Sequence, residues 1–399
     1  MAPMYPTTSD HGARLAAVLP TCLRLMGVPD AEHDPAPRAT DAGLPAVDSV
    51  IIIVVDGLGW ANLRARRGHA RTLSGLDQRR IETVTPTTTA AALTAIVTGT
   101  LPGEHGLIGY RIRHPESGRI LTTISDWDGV GAPGEWQRSL PLFHRAAENG
   151  VTVSALGRPA HRTGGLTGAI LSGAQYRSGA TLEDRFAEAE KLVAGSPGQL
   201  IYLYVDELDR AGHQQGWESD AWTGRLEQLD AAVAGLLRRL PQRVGVVLTA
   251  DHGMVDVPAH KHRFLDADNA LFAEISQIGG EPRFRYLYLR DGVDAEAHAE
   301  RWQSREGKRA WVFTREQGIA AGLFGAVAPE VRERMGEVII AARGLQAYYC
   351  SGPEDEAARE MVGQHGSLSE EEQGIPLILA GAFGGGAFPT DAQLVEIAP

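Results

Sequence analysis

The residues that could do chemistry fall at turns and strand ends along the chain. Asp56 opens the turn Asp56-Gly57-Leu58-Gly59. Thr89 ends the run Thr85-Pro86-Thr87-Thr88-Thr89 and leads into Ala90-Ala91-Ala92-Leu93. Asp209 and His213 are four residues apart, Asp251 and His252 are adjacent, and His365 stands before Gly366. A hydroxyl after a proline and before good helix formers reads as a helix start, where unpaired N–H groups stabilise negative charge. That suits an alkoxide or a phosphoryl group, and it equally suits an N-cap. Three carboxylates, three imidazoles and one hydroxyl make a ligand set for two divalent, borderline-soft metal ions such as zinc. Each member has a plainer reading as a turn, a cap or a loop residue. His105, His260 and His262 have no strand end beneath them and read as solvated loop residues.

Most of these residues follow strand-like runs. Ser49 to Val55 is almost continuously β-branched, and Leu200 to Val205 and Val244 to Ala250 are similar. Such runs predict strands buried on both faces. Helical periodicity over 140–149, 182–194 and 225–240 alternates with them, and 151–156 and 375–381 supply further strands. The pattern predicts an α/β fold with a mostly parallel sheet. Carboxylates at the carboxyl ends of its strands stand where such sheets place their sites. Residues 263–350 break the alternation. Strands at 284–289, 310–314 and 338–341 and a helix at 295–304 predict an inserted α+β subdomain. The core is then 1–262 and 351–399.

The 399 residues carry a net charge of -12, which argues against a stable nucleic-acid partner. Bound cations would let so acidic a protein handle phosphate. Cys22 and Cys350 are the only cysteines, which excludes a disulfide scaffold and a CxxC knuckle. No run approaches the roughly 18 apolar residues of a membrane span. Residues 13–28 predict a short amphipathic helix rather than a signal peptide, which points to the cytoplasm. Pro29 to Pro45 reads as a surface linker.

In this order the motifs resemble the alkaline phosphatase superfamily, and within it the nucleotide pyrophosphatase/phosphodiesterase branch. The resemblance rests on 54–59, 86–106, 204–216, 249–255 and 363–381. It implies a doubly wound, alkaline-phosphatase-like sheet flanked by helices. It also implies that Thr89 is the nucleophile, that Asp209, His213 and His365 hold one zinc, and that Asp56, Asp251, His252 and the Thr89 oxygen hold the other. Asp206 competes for the Asp209 role, but the Asp-x-x-Gly-His spacing is met only by Asp209 to His213.

Two departures bear on the substrate. Tyr110 stands where the branch carries a phosphoryl-binding asparagine, and Ala90 to Ala92 replace a frequent Phe-Pro-Asn. Tyr110 could donate its phenol to substrate, and with Trp127 and Trp136 it could form a flat wall for a nucleobase; ordinary core packing is the other reading of these aromatics. The resemblance implies hydrolysis of a phosphodiester or pyrophosphate bond in a small nucleotide-like substrate. A phosphomonoesterase, a phosphonate hydrolase and a non-catalytic metal- or phosphate-binding relative are the alternatives. The sulfatase motif is absent around Thr89.

Overall fold

The computed structural model describes residues 10–30, 43–125, 127, 136–267 and 269–384. Most of the linker expected over Pro29 to Pro45 lies outside the described residues. The core is a seven-stranded sheet of β1 (Ser49–Val55), β2 (Asp77–Glu82), β3 (Thr152–Gly157), β4 (Gln175–Ser178), β5 (Gln199–Val205), β6 (Val244–Ala250) and β7 (Gly374–Gly381). Their order across the sheet is β2-β7-β6-β1-β5-β3-β4. β1 is central, and every one of its residues is buried. It pairs in parallel with β5 and β6, with Ile52 opposite both Tyr202 and Val247. β7 runs antiparallel to β6 and to β2.

The helices that matter for the site are α1 (Thr89–Thr98), α2 (Leu182–Gly195), α3 (Glu207–Gln215) and α4 (Asp220–Leu237). α2 begins with a capping box, Thr181 accepting from the Asp184 amide at 3.1 Å and Asp184 accepting from that of Thr181 at 3.0 Å. α4 buries Leu226, Leu229, Val233 and Leu236, a helical stripe facing the core. α1 is buried from Ala90 through Thr98, so small residues are needed for close packing on every side. Its two inner threonines satisfy their hydroxyls locally, Thr94 on the Ala90 carbonyl and Thr98 on that of Thr94. Gly99, at φ 74°, ends it in the left-handed conformation that favours glycine.

Between 263 and 350 the chain builds a separate four-stranded antiparallel sheet. Its order is Ile275–Glu281, Phe284–Leu289, Val338–Ala342, Ala310–Thr314. The helix Ala295–Glu306 packs on the last of these through Ala299 and Trp302. Phe284, Tyr286 and Phe313 join this layer to the main core.

Three strands of these two sheets escape the sequence patterns. β2 and β4 are edge strands whose residues are mostly half-exposed, so they carry no apolar run. Ile275–Glu281 is interrupted by two glycines. Where one short amphipathic helix is expected over residues 13–28, the chain forms two short helices, Ala13–Ala16 and Val18–Leu25, and Val18 to Leu23 are all buried. Among the described residues no helix is long and apolar enough to cross a membrane.

Candidate active site

Three neighbouring strands, β6-β1-β5, end at one place. Asp56 follows β1 directly, Asp251 and His252 follow β6, and α3, which starts two residues after β5, presents Asp209 and His213 one turn apart. His365 comes from the loop after Gly363–Gln364, a segment paired with Val255–Asp256 beyond β6. The side chains gather into two groups: Asp209, His213 and His365 in one, Asp56, Asp251 and His252 in the other. Within each group one ligand atom per residue lies within 4.8 Å of the others. The His252 and His365 rings stack with centroids 3.6 Å apart, so the groups abut. Thr89, the first residue of α1, places Oγ1 3.3 Å from His252 Nε2. Thr88 is the N-cap and makes no side-chain capping bond.

The imidazoles are held in one orientation. Nδ1 faces a backbone carbonyl in each: Gly363 at 2.8 Å for His213, Thr87 at 2.9 Å for His365, and Gly253 at 3.1 Å for His252. A ring nitrogen facing a carbonyl carries the proton, which leaves the Nε2 lone pair for the site. The carboxylates are also aimed. Asp251 Oδ1 accepts from the amides of Gly57 at 3.1 Å and His252 at 2.9 Å, and the Tyr204 hydroxyl donates to Asp56 Oδ2. Gly57, at φ 73°, lies so close to Asp209 that a Cβ would sit 3.1 Å from its Cα. The other oxygens, Asp56 Oδ1, Asp209 Oδ1 and Asp251 Oδ2, are buried with no hydrogen-bond partner. Three such orphans in one cluster would cost about 1–3 kcal/mol each, and more if charged, unless a cation meets them. With the three inward-facing Nε2 atoms they fit two divalent ions with mixed N/O ligands.

The electrostatics agree. Burial raises the Asp56 pKa well above the usual carboxylate value, and the charges of Asp251 and Asp209 add to the rise. Burial also raises that of Asp209, although His213 and His252 pull it down. Burial beside His252 and His213 lowers the His365 pKa far below the usual imidazole value, which favours its neutral, ligating form.

Asp56, Asp209, His213 and His365 line a cavity of about 520 Å³, together with Thr89 and Tyr110. Tyr110 is half-buried, and its backbone amide donates to Glu281 Oε2 at 3.1 Å. Trp127 and Trp136 do not line the cavity. They meet edge to face with centroids 6.3 Å apart, and both are buried. Trp136 stacks on His114 and lies under the Arg334 guanidinium, so of the two readings of Trp127 and Trp136 core packing is the one that fits, while Tyr110 lines the cavity. His105 is also a correction. It is fully buried, its Nδ1 accepts from the Leu107 amide at 3.2 Å, and burial lowers its pKa to about 3. Asp206 stands apart from both groups and pairs with Arg158 at 3.2 Å.

Sequence patterns missed Tyr204, Thr87 and Glu281. Tyr204 alternates toward the Asp56 side of β5, a placement visible only once β1 and β5 are known to pair. The Thr87 hydroxyl accepts from the Gly366 amide at 2.9 Å and donates to the Ser367 carbonyl at 3.1 Å, tying the His365 loop to the start of α1. Glu281 lines the cavity from the four-stranded sheet, and burial pushes its carboxyl up to about 8.

Comparisons with known proteins bear on this arrangement. The chain is 24% identical over 232 residues to venom phosphodiesterase 2 of Crotalus adamanteus, covering 54% of this chain and 28% of that one. It is 24% identical over 237 residues to an uncharacterized pyrophosphatase/phosphodiesterase of Schizosaccharomyces pombe, covering 55% and 47%. It thus spans less than half the length of these curated relatives. The fold superposes on human ectonucleotide pyrophosphatase/phosphodiesterase 5 with TM-score 0.66 at 16% identity, covering 87% of this chain and 93% of that one. It superposes on phosphonoacetate hydrolase of Sinorhizobium meliloti 1021 with TM-score 0.65 at 18% identity, covering 86% and 92%. The family model for type I phosphodiesterase / nucleotide pyrophosphatase matches residues 50–368, from β1 through the loop that carries His365. The chain belongs to the type I phosphodiesterase / nucleotide pyrophosphatase family.

Proposed function

We propose that the protein is a phosphoric ester hydrolase that cleaves phosphodiester or pyrophosphate bonds in small nucleotide-like substrates, through a phosphothreonine on Thr89. The observation that carries this reading is the position of Thr89, at the N-terminus of a buried helix and 3.3 Å from the edge of the carboxylate–imidazole cluster. Asp209, His213 and His365 would hold one zinc ion, and Asp56, Asp251 and His252 with the Thr89 oxygen the other. Bound ions would neutralise the carboxylates and the transferred group and favour the ionised Thr89 hydroxyl. Thr89 Oγ1 attacks phosphorus, the P–O bond to the leaving group breaks, and a phosphothreonine remains. The unpaired amides in the first turn of α1 face the negative oxygens of the transferred group. Water then attacks phosphorus, which frees the Thr89 hydroxyl and the phosphorylated product. Tyr110, on the cavity wall, donates its phenol to a phosphoryl oxygen.

Activity on bis-(p-nitrophenyl) phosphate and on p-nitrophenyl phosphate, measured on one zinc-loaded preparation, tests the substrate class. The diester is expected to have the higher kcat/KM. A monoester preference of about tenfold, ~1.4 kcal/mol in transition-state binding, would make the protein a phosphatase. The likeness to phosphonoacetate hydrolase supports a second reading, cleavage of a phosphonate. Phosphate released from phosphonoacetate faster than p-nitrophenol from the diester would establish that reading instead.

Elemental analysis after dialysis is expected to find about two zinc ions per chain, because the ligands divide into two sets of the size zinc uses. Asp209→Ala and His365→Ala should each weaken one site and Asp251→Ala the other. Active protein holding one ion or none would refute the two-ion arrangement.

A further inference from the structure

The cavity over Thr89 has a second, apolar part. Leu93 lies four residues after Thr89 on α1, so both side chains project from one face of the helix, and both line the cavity. The wall continues through Leu156 at the end of β3 and through Leu166, Ile170 and Leu171, on and just after the helix Gly165–Ile170, which packs against α1. Of the polar groups on the cavity beside this wall, the Tyr202 hydroxyl and Asp206 Oδ1 have no hydrogen-bond partner, whereas others are engaged. The Tyr176 hydroxyl donates to the Arg158 carbonyl at 2.7 Å, and Asp206 pairs with Arg158 at 3.2 Å. The wall itself is aliphatic, and Trp127 and Trp136, the aromatics nearest in kind to a base-stacking surface, are committed to the core. Aliphatic side chains beside the reacting group bind an apolar substituent by excluding water, with little demand on its shape.

We propose that this arm takes an aliphatic chain on the substrate, so that the preferred substrate is a phosphodiester with an alkyl- or acyl-bearing ester group rather than a nucleoside ester. The proposal rests on the phosphodiester reading above and narrows its substrate. The chain lies along Leu93, Leu156 and Leu166 while the phosphoryl group sits at Thr89.

The experiment uses p-nitrophenyl phosphodiesters whose second ester is methyl, butyl, octyl or thymidine-5′, on zinc-loaded protein. The expected kcat/KM rises about fourfold per methylene until the arm is filled, and the octyl ester exceeds the thymidine ester. Leu166→Gln should lower the octyl-to-methyl ratio at least tenfold, with the fold checked by circular dichroism. A series flat in chain length, or a thymidine ester preferred by tenfold, overturns the proposal. Binding is measured separately, with methylphosphonate and octylphosphonate on Thr89→Ala protein by calorimetry. Octylphosphonate at least tenfold tighter supports the arm even if no diester is turned over, in which case only the phosphodiester reading fails. Equal affinities overturn the arm whatever the turnover shows.

Discussion

Thr89→Ala is expected to lower turnover of any substrate by ~10³-fold or more while the fold and most metal binding persist. Covalent catalysis depends on that one hydroxyl, and a residue acting only in the reaction takes kcat and kcat/KM down together. The fold should survive because α1 is held by Ala90 through Thr98, all buried, and Thr88 remains the N-cap. The change deletes a hydroxyl and a methyl from a position only half-buried at the cavity. Thr87→Ala is a different experiment, because the Thr87 hydroxyl bonds the His365 loop at two points and its loss displaces a side chain of the cluster. Steady-state kinetics with zinc analysis on the three single threonine variants separates these cases. Near-normal activity of Thr89→Ala with Thr88→Ala inactive would move the nucleophile.

The second large effect is on stability. Glu372→Ala is expected to cost about 3–5 kcal/mol, the range for breaking a buried ion pair by removing one partner. Arg283 and Glu372 are both fully buried and meet through two bonds, Nε to Oε1 at 2.7 Å and Nη2 to Oε2 at 2.6 Å. Oε1 also accepts from the Ser367 amide at 2.9 Å, and Oε2 from the Ser369 hydroxyl at 2.6 Å. The pair joins the turn between two strands of the four-stranded sheet to the segment that carries His365. Removing the carboxylate leaves a buried guanidinium without its counter-charge and the Ser367 amide without an acceptor, so turnover should fall as well. Replacing both members, as Arg283→Met with Glu372→Leu, should recover part of the stability, since the penalty comes from the unpaired charge. Urea unfolding reads the difference as a shift in midpoint at constant slope. A loss below about 1 kcal/mol would show that water reaches the guanidinium.

Much of the core was legible in the chain itself. Ser49 to Val55 and Val244 to Ala250 announce central strands because a strand covered on both faces must be apolar at every position. The same runs make Asp56 and Asp251 conspicuous, since a carboxylate that closes such a run marks the strand end, where open sheets place their sites. These are local signals, carried by a few consecutive residues, and the chemistry-bearing residue types could be read with them. β2 and β4 could not be read, because an edge strand half-exposed to water has no apolar pattern to show.

Tertiary structure decided the rest. That β6, β1 and β5 are neighbours is a matter of sheet order, and it brings Asp251, Asp56 and Asp209 to one place. The proton on two of the three imidazoles depends on carbonyls distant in sequence, Thr87 for His365 and Gly363 for His213. His105 looked like a loop residue and is buried, whereas Trp127 and Trp136 could be read as a substrate wall or as core and are packed away. Burial of an isolated polar or aromatic residue is set by what folds over it, and nothing in its neighbours along the chain records that. The aliphatic wall beside Thr89 has the same origin. Leu93 shares a helix with the threonine, but Leu156 comes to the same cavity from β3, and Leu166 from the helix Gly165–Ile170, which packs on α1.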